Sequence, residues 1–369
     1  MKQRSVEKNT PKMATHVFRR RHTPERRVTT VNPLTWKLFL FLVSIPLGAL
    51  YIGYAIGNYM MPPPPKFPDR GVVVDIGRLN YSWYNSHNIT VSFIGGLGNH
   101  MFQYASMYGI GKANGLKPLI PLDNRLFDIF PLLRAKLILN EKHLRDSSVF
   151  NEFNPATFDG RTFSLNFMKN IHLEGFYQSW RYFDHARSDI RRQFRFRPEV
   201  EQAVADALRE IGHSYGEHAD AKIVAANGVP VQYVGVHIRR GDLLEQYNLD
   251  QGYSTADAVY LDRAIHFYDV TYKNVVYVVC TDDVDWAREN VKTKSPTSLI
   301  VLSPFLHRNP GYDLCLLSFC NHSIITVGTF GWWGAWLAAG DVIYYKNFPE
   351  PSSYLAKQFS PTDYYPPRW

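Results

Sequence analysis

Cysteine is scarce in this chain of 369 residues, which contains only Cys280, Cys315 and Cys320. Three cysteines cannot build the dense disulfide framework of a small secreted domain, and their spacing matches no tetrahedral zinc site. Charged residues are also few, at 20% of the chain, whereas 45% of the residues are hydrophobic. This balance excludes a wholly disordered chain, a collagen and a coiled coil. At least one substantial hydrophobic core is therefore expected.

The excess of positive charge lies at one end of the chain. Residues 1–37 contain ten lysines and arginines against two glutamates, and this difference equals the whole formal charge of +8. Acidic and basic residues balance over the remainder. A basic patch on the folded part of the chain would instead have indicated a nucleic-acid partner. The charge therefore indicates a basic tail, and no nucleic-acid partner is expected.

An uncharged apolar stretch, residues 38–59, follows the basic tail. It is long enough to cross roughly 30 Å of hydrocarbon, which predicts a transmembrane signal-anchor with residues 1–37 as its cytoplasmic tail. A cleaved signal peptide is the alternative, because residues 55–57 have the small-x-small form of a cleavage site.

Residues 60–88 contain four consecutive prolines and predict an extended stem. If the chain beyond the apolar stretch is luminal, Asn80, Asn88 and Asn321 are glycosylation acceptors.

Short β-branched runs alternate with helical stretches from about residue 89 onwards. This pattern is typical of an α/β fold with parallel sheets built from βαβ units, and its length suggests two lobes, residues 89–228 and 229–369. Ligands of open parallel sheets bind beyond the carboxyl ends of the strands. The predicted strands are 89–94, 116–122, 231–237, 275–280, 299–302, 324–327 and 342–345.

The first candidate site is a glycine-rich turn that contains Gly95, Gly96 and Gly98 before a predicted helix. Glycines at this position let a backbone approach a ligand, and the helix N-terminus attracts phosphate. The dinucleotide fingerprint is incomplete, because Met101 stands where its third glycine belongs, and this disfavours a nicotinamide enzyme. Asn99 is either a donor of hydrogen bonds to a nucleotide or sugar, or the cap of a tight turn.

The second candidate is the strand end His237-Ile238-Arg239-Arg240-Gly241-Asp242. Alternation along a strand sends His237 and Arg239 to one face and Arg240 to the other, unless the strand has already ended. Guanidinium groups pair with phosphate through two parallel hydrogen bonds and stay charged, so an arginine pair suits a pyrophosphate. Asp242 is then a base, or the partner of an arginine in a simple salt bridge.

Two further strand ends carry polar groups. Asp282 and Asp283 can accept hydrogen bonds from a ribose or a guanine, and Asp283 with Asp285 has the acid-x-acid spacing of a metal-dependent sugar-nucleotide transferase. Both acids also suit the first turn of a helix. In the last motif, Thr329 and Phe330 stand between a strand and a tryptophan-rich helix whose tryptophans we expect in the core.

Five motifs in the same order resemble those of the α-1,2-fucosyltransferases, inverting enzymes that use GDP-fucose. They are GGLGNHMFQYA at 95–105, GFYQSWRYFDHAR at 175–187, HIRRGD at 237–242, TDDVDWARENV at 281–291 and CNHSIITVGTFGWWGAWLAAGD at 320–341. The resemblance implies a GT-B-type fold, in which two Rossmann-like lobes face each other across a cleft. The first lobe then binds the acceptor and the second binds GDP-fucose.

The resemblance also implies the roles of particular residues. Arg239 and Arg240 would hold the diphosphate and stabilise the departing GDP, with Asp242 or Glu245 as the base. The remaining donor-binding positions would be Gly96, Gly98, Asn99, His237, Asp282, Asp283, Thr329 and Phe330. Neither a metal nor another cofactor is expected.

The implied acceptor is a hydroxyl of a glycan on a glycoprotein or glycolipid, O2 of a terminal β-galactoside by default. The implied location is the Golgi membrane, with one membrane-spanning helix and a luminal catalytic domain. Two alternatives stay open. One is a membrane-tethered glycan-binding protein that has the fold without turnover, and the other is a metal-dependent transferase that uses Asp283 and Asp285.

Overall fold

Two five-stranded parallel β-sheets form the framework of the computed structural model. The structure describes residues 87–133, 136–137, 146–166, 168–217, 230–306 and 308–369. The predicted tail, the predicted membrane span and almost all of the predicted stem lie outside these ranges. No helix within the described ranges combines the length and the apolar character that crossing a bilayer requires.

The first sheet has the strand order β3-β2-β1-β5-β4. Each neighbouring pair in it is parallel. Its strands are β1 (Asn88–Val91), β2 (Lys117–Ile120), β3 (Lys136–Leu137), β4 (Ser147–Asn151) and β5 (Asn170–Glu174).

The second sheet is also parallel throughout, in the order β10-β9-β6-β7-β8. Its strands are β6 (Gln232–Ile238), β7 (Val275–Thr281), β8 (Ser298–Leu302), β9 (His322–Ile325) and β10 (Val342–Tyr344). Strands β6 and β7 are apolar and buried over most of their length, as expected for the centre of a parallel sheet covered on both faces. The predicted α/β fold with parallel sheets is thus confirmed.

Helices lie in most of the described connections between the strands, and one more helix follows the last strand. In chain order they are α1 (Leu97–Asn114), α2 (Leu126–Ile129), α3 (Arg187–Gln193), α4 (Pro198–Glu217), α5 (Gln246–Gln251), α6 (Ala258–Thr271), α7 (Val284–Asn290), α8 (Pro310–Phe319), α9 (Thr329–Ala338) and α10 (Pro361–Tyr364).

An aromatic core joins the elements of the two sheets. Trp332, Trp333 and Trp336 of α9 are buried, which confirms the prediction that the tryptophans pack in the core. Phe102 of α1 lies 4.5 Å from Trp332 and 5.1 Å from Trp333 between ring centres. Phe183 stacks on Trp333 at 5.5 Å. Because these rings come from both halves of the chain, α1 and α9 are held together by the largest apolar side chains of the protein.

Candidate functional site

A polar cavity of about 290 Å³ lies at the carboxyl ends of β6 and β7. This edge is where open parallel sheets bind ligands. Its lining comes from β6 and β7, the turns after them, α8 and α9. The lining residues are His237, Ile238, Arg239, Asp242, Cys280, Thr281, Asp282, Asp313 and Phe330.

A second cavity, of about 460 Å³, is larger but less suited to chemistry. It lies between α7 and β8 and is lined by aliphatic side chains and Arg288. A site for a reaction needs several polar groups that converge on one point. We therefore take the polar cavity as the candidate site and call it the donor-side pocket, because it lies in the half of the chain for which the sequence predicts donor binding.

His237 forms the floor of the donor-side pocket. Its ring is buried, and burial, with a smaller contribution from the charge of Arg239, lowers its pKa to about 3. The ring is therefore neutral at physiological pH. Its Nδ1 atom has no hydrogen-bond partner within the described part of the chain. A Cβ at residue 331 would lie 2.5 Å from this Nδ1, so Gly331 makes room for the imidazole.

Arg239 lies in the pocket and pairs with Asp242. Its backbone amide donates to Thr326 Oγ1 at 3.0 Å, which fixes the chain where β6 ends. One guanidinium nitrogen, Nη2, donates to both carboxylate oxygens of Asp242, at 3.0 and 2.9 Å. Both side chains are partly exposed to solvent, so a ligand can compete for the guanidinium.

Arg240 points away from the donor-side pocket. Its guanidinium lies 3.9 Å from the ring centre of Trp286, and its Nε donates to Asp283 Oδ2 at 3.2 Å. The side chain is only 14% exposed, which matches its place between α7 and the turn after β7. Because β6 ends at Ile238, the turn after the strand and not strand alternation separates the two arginines, and of the two only Arg239 lines the pocket.

The two predicted acids after β7 have different surroundings. Asp282 lines the pocket, and its Oδ1 accepts the backbone amide of Arg240 at 2.9 Å. Asp283 caps α7 by accepting the amide of Trp286 and also pairs with Arg240. Asp285 is 94% exposed and pairs with Arg288. Asp283 and Asp285 therefore do not converge on a common point.

Asp313 was not identified from the sequence, yet it lines the donor-side pocket from the first turn of α8. Its carboxyl accepts hydrogen bonds from Ser303 Oγ and from the thiol of Cys280. Burial raises the pKa of Asp313. No local motif marks this residue, because the fold alone brings α8 next to the ends of β6 and β7.

The glycine-rich turn meets the second sheet at the start of α9. Asn99 Oδ1 accepts hydrogen bonds from Thr329 Oγ1 at 2.8 Å and from Gln178 Nε2 at 3.1 Å. A Cβ at Gly98 would lie 2.6 Å from the backbone of Thr329. Gly98 therefore permits the close approach of α1 and α9 and serves packing. Gly96 is exposed and has no neighbouring atom within 4 Å of a built Cβ, so this position is open to a ligand.

Of the two candidate bases, Asp242 lies in the pocket and Glu245 does not. Asp242 is about half exposed and is held next to Arg239. Glu245 is exposed and precedes α5, where its backbone amide donates to the carbonyl of Asp242 at 3.1 Å. Of the predicted residues, the pocket thus brings together His237, Arg239, Asp242, Asp282 and Phe330.

Residues 78–369 match glycosyl transferase family 11. Among curated proteins, galactoside alpha-(1,2)-fucosyltransferase 2 of Sus scrofa is 32% identical over 292 residues, covering 76% of this chain and 78% of that protein. Galactoside alpha-(1,2)-fucosyltransferase 1 of Rattus norvegicus is 31% identical over 280 residues, covering 76% and 71%. Among solved structures, fucosyltransferase NodZ from Bradyrhizobium is 16% identical with a TM-score of 0.42, covering 72% of this chain and 98% of NodZ.

Proposed function

The chain belongs to glycosyl transferase family 11, and from this membership we propose that it transfers L-fucose from GDP-fucose to a hydroxyl of a glycan. We propose O2 of a terminal β-galactoside as the acceptor atom, because the curated relatives of this chain are named galactoside alpha-(1,2)-fucosyltransferases. The observation that carries the proposal is the position of Arg239 and Asp242 in one pocket with the neutral His237 and the carboxyl of Asp313.

The guanine of the donor would be recognised at the inner end of the pocket. A guanine edge presents two N–H donors side by side, and a carboxylate accepts such a pair through its two oxygens. Asp313 offers a carboxyl there, and Phe330 offers an aromatic face 5.4 Å from the ring of His237. His237 enters the site as a neutral imidazole, which can both donate and accept a hydrogen bond.

The diphosphate would take Arg239 away from Asp242. In the transfer step the bond between the fucose anomeric carbon and the GDP oxygen breaks while the acceptor oxygen bonds to that carbon, so negative charge grows on GDP. A guanidinium that meets this charge stabilises the transition state more than the ground state. The carboxylate of Asp242, released from Arg239, would then accept the proton of the acceptor hydroxyl.

We propose that this transfer needs no divalent cation. The argument is that Arg239 supplies the positive charge that a cation supplies in metal-dependent transferases. Asp283 is already used as the cap of α7 and as the partner of Arg240. The acid pair of the metal-dependent alternative is therefore committed to other contacts.

Arg240 then has a supporting role in this proposal. Its backbone amide and guanidinium hold Asp282 and Asp283 in position, and its stacking on Trp286 fixes the start of α7. The donor site would thus depend on Arg239 for charge and on Arg240 for shape.

We further propose the GT-B arrangement and a Golgi location. The first sheet would form the acceptor lobe and the second sheet the donor lobe, with residues 38–59 as the signal-anchor and residues 60–88 as the stem. The support is the two parallel sheets and the uncharged stretch after a basic tail. A luminal catalytic domain would meet glycoprotein and glycolipid acceptors during their export.

The test is a transfer assay with the purified full chain. It is incubated with GDP-fucose and a panel of terminal β-galactosides, with and without EDTA, and free GDP and fucosylated product are measured. We expect product that an α-1,2-specific fucosidase cleaves, at a rate that EDTA does not change. Glycan binding without GDP release would support the non-catalytic alternative, and loss of activity in EDTA would support the metal-dependent one.

A further inference from the structure

Outside the donor-side pocket, Glu152 is a partly buried acid with one fully enclosed carboxyl oxygen, and the proposed reaction does not use it. It directly follows β4, at the carboxyl end of the first sheet. Its Oε2 accepts the backbone amide of Phe176 at 2.6 Å. Its Oε1 is buried and finds no hydrogen-bond partner among the residues that the structure describes. A buried carboxyl oxygen without a partner is unfavourable, above all when the group is charged.

The turn that Glu152 contacts has an unusual backbone. Gly175 has φ 146°, and a Cβ there would lie 2.4 Å from the Cβ of Glu152, so this position requires glycine. Tyr177 has φ 50°, in the left-handed region that residues with a Cβ seldom adopt. The surroundings hold it there, because Ser106 Oγ donates to the Tyr177 carbonyl and the Tyr177 hydroxyl donates to the carbonyl of Phe150.

The same turn reaches the candidate site through its last residue. Gln178 Nε2 donates to Asn99 Oδ1, which also accepts from Thr329 Oγ1. Thr329 precedes Phe330, which lines the donor-side pocket. Because Oδ1 of Asn99 accepts these two hydrogen bonds, the amide nitrogen of Asn99, which is its donor, points away from Gln178 and Thr329. The orientation of Asn99 therefore depends on the turn at 175–178, and that turn rests on the carboxyl of Glu152.

We propose that Glu152 is a positioning residue whose neutral carboxyl holds the turn at 175–178, and through Gln178 holds Asn99, in the arrangement that GDP-fucose requires. Loss of the proton would place a negative charge on a carboxyl with one buried, unpartnered oxygen. Admission of water to that oxygen would then loosen the turn. The proposal rests on the proposed function, because turnover of GDP-fucose is one of its two readouts.

The surroundings of Glu152 favour the neutral form. Burial raises its pKa to about 8, and the nearby carboxylate of Asp159 contributes in the same direction. The amides of Phe176 and Tyr177 act in the opposite direction, but their effect is smaller. Tyr177 and Tyr182 also interact electrostatically with the carboxyl, although their hydroxyls donate to the backbone carbonyls of Phe150 and Thr157. Glu174 on β5 lies near Tyr177, and Arg161 is paired with Asp159.

The kinetic experiment compares full-length wild type, Glu152→Gln and Glu152→Ala between pH 6 and 9.5, with GDP-fucose varied at a fixed, saturating acceptor concentration. The glutamine keeps an oxygen for the Phe176 amide and cannot ionise. We expect it to retain activity within about 3-fold of wild type, and the alanine to lower kcat/KM for GDP-fucose about 10- to 100-fold through misplacement of the turn. Wild-type activity should fall as the pH rises through about 8, and the glutamine variant should lack this fall.

Two kinetic results would overturn the proposal. One is a glutamine variant as inactive as the alanine variant, since a neutral isostere should suffice. The other is an unchanged alkaline fall in the glutamine variant, since the titrating group would then lie elsewhere. Gln178→Ala provides a further check: combined with Glu152→Ala it should add little to the loss, because both changes break one chain of contacts.

The second readout needs no catalysis, so it separates this proposal from the proposed function. The raised pKa of Glu152 contributes stability that is present at low pH and is lost as the pH rises from the unfolded value, 4.5, through about 8. The melting temperature of Glu152→Gln relative to wild type should therefore rise between pH 5 and pH 8.5. The exposed Glu210→Gln is the control and should show no such trend. A flat difference for Glu152→Gln would refute the neutral carboxyl even if the enzyme is active.

Discussion

The guanidinium of Arg240 lies over the indole of Trp286, 3.9 Å from the ring centre, although its neighbour Arg239 faces the donor-side pocket. Adjacent residues of the same type thus have different surroundings. Arg239 pairs with the half-exposed Asp242, which a ligand can replace. Arg240 is enclosed by Trp286, Asp283 and Thr255. We therefore expect Arg239, which a substrate can reach, to act in binding and catalysis, and the enclosed Arg240 to stabilise the local structure.

Replacement of Arg239 should therefore affect turnover. Arg239→Lys keeps the charge but loses the planar fork, and we expect kcat for fucosyl transfer to fall about 10²- to 10³-fold. The matched variant is Arg240→Lys, for which we expect lower stability by about 1–2 kcal/mol, from loss of the stacking on Trp286, and a smaller effect on kcat. Steady-state kinetics and urea unfolding of both variants measure the two effects. If Arg240→Lys abolished turnover in a stably folded protein and Arg239→Lys did not, Arg240 would be the catalytic residue and Arg239 the structural one.

Asp313 should control the recognition of the donor base. Asp313→Asn replaces one acceptor oxygen with a donor and leaves a guanine N–H unmatched, so we expect KM for GDP-fucose to rise about 10- to 100-fold. The exposed Asp285→Asn serves as the control and should leave KM unchanged. Initial rates over a range of GDP-fucose concentrations give both values. Equal KM values for Asp313→Asn and wild type would place the guanine away from α8.

Gly98 should matter for stability. Its α-hydrogen faces the backbone of Thr329, so the methyl group of Gly98→Ala would force α1 and α9 apart. We expect a loss of about 2–3 kcal/mol in the free energy of unfolding, measured by urea titration. Gly96→Ala places its methyl group in open space and should cost no more than about 0.5–1 kcal/mol. Equal costs for the two variants would contradict the close contact.

The fold should lose stability in acid through two buried histidines. Burial lowers the pKa of His237 to about 3 and that of His100 to about 4. Each lowered pKa contributes stability that is present above the unfolded value, 6.5, and is lost as the pH falls towards the folded value. Between its unfolded and folded pKa values, each histidine should lower the free energy of unfolding by up to about 1.4 kcal/mol for each pH unit that the pH falls.

Unfolding free energies measured between pH 4.5 and 7 check this expectation. His100→Gln and His237→Gln should each flatten the profile, whereas the exposed His213→Gln should leave it as in wild type. If both buried variants lose as much stability in acid as wild type does, the loss comes from carboxyl groups and not from these two histidines.

Local sequence patterns were sufficient for most of the second sheet. Strands β6 and β7 are continuous apolar runs, and their observed limits differ from the predicted ones by one residue or less at each end. Alternation along β6 does not reach the two arginines, because the strand ends at Ile238 and the turn after it sets their directions. Strands β4 and β5 were not predicted, because Ser147–Asn151 and Asn170–Glu174 are short and mix polar with apolar residues. Only their pairing with each other and with β1 makes them strands.

The sequence by itself determined the α/β class, the family and the strand-end motif that carries Arg239 and Asp242. These depend on local periodicity and on contiguous residues, which a chain displays before it folds. Tertiary structure alone decided that Arg240 turns to Trp286, that Gly98 serves packing, and that Asp313 enters the pocket. It also decided that Glu152 contacts a turn more than twenty residues later in the chain. Each of these outcomes is a contact between segments distant in sequence, and such contacts are set by how sheets and helices pack.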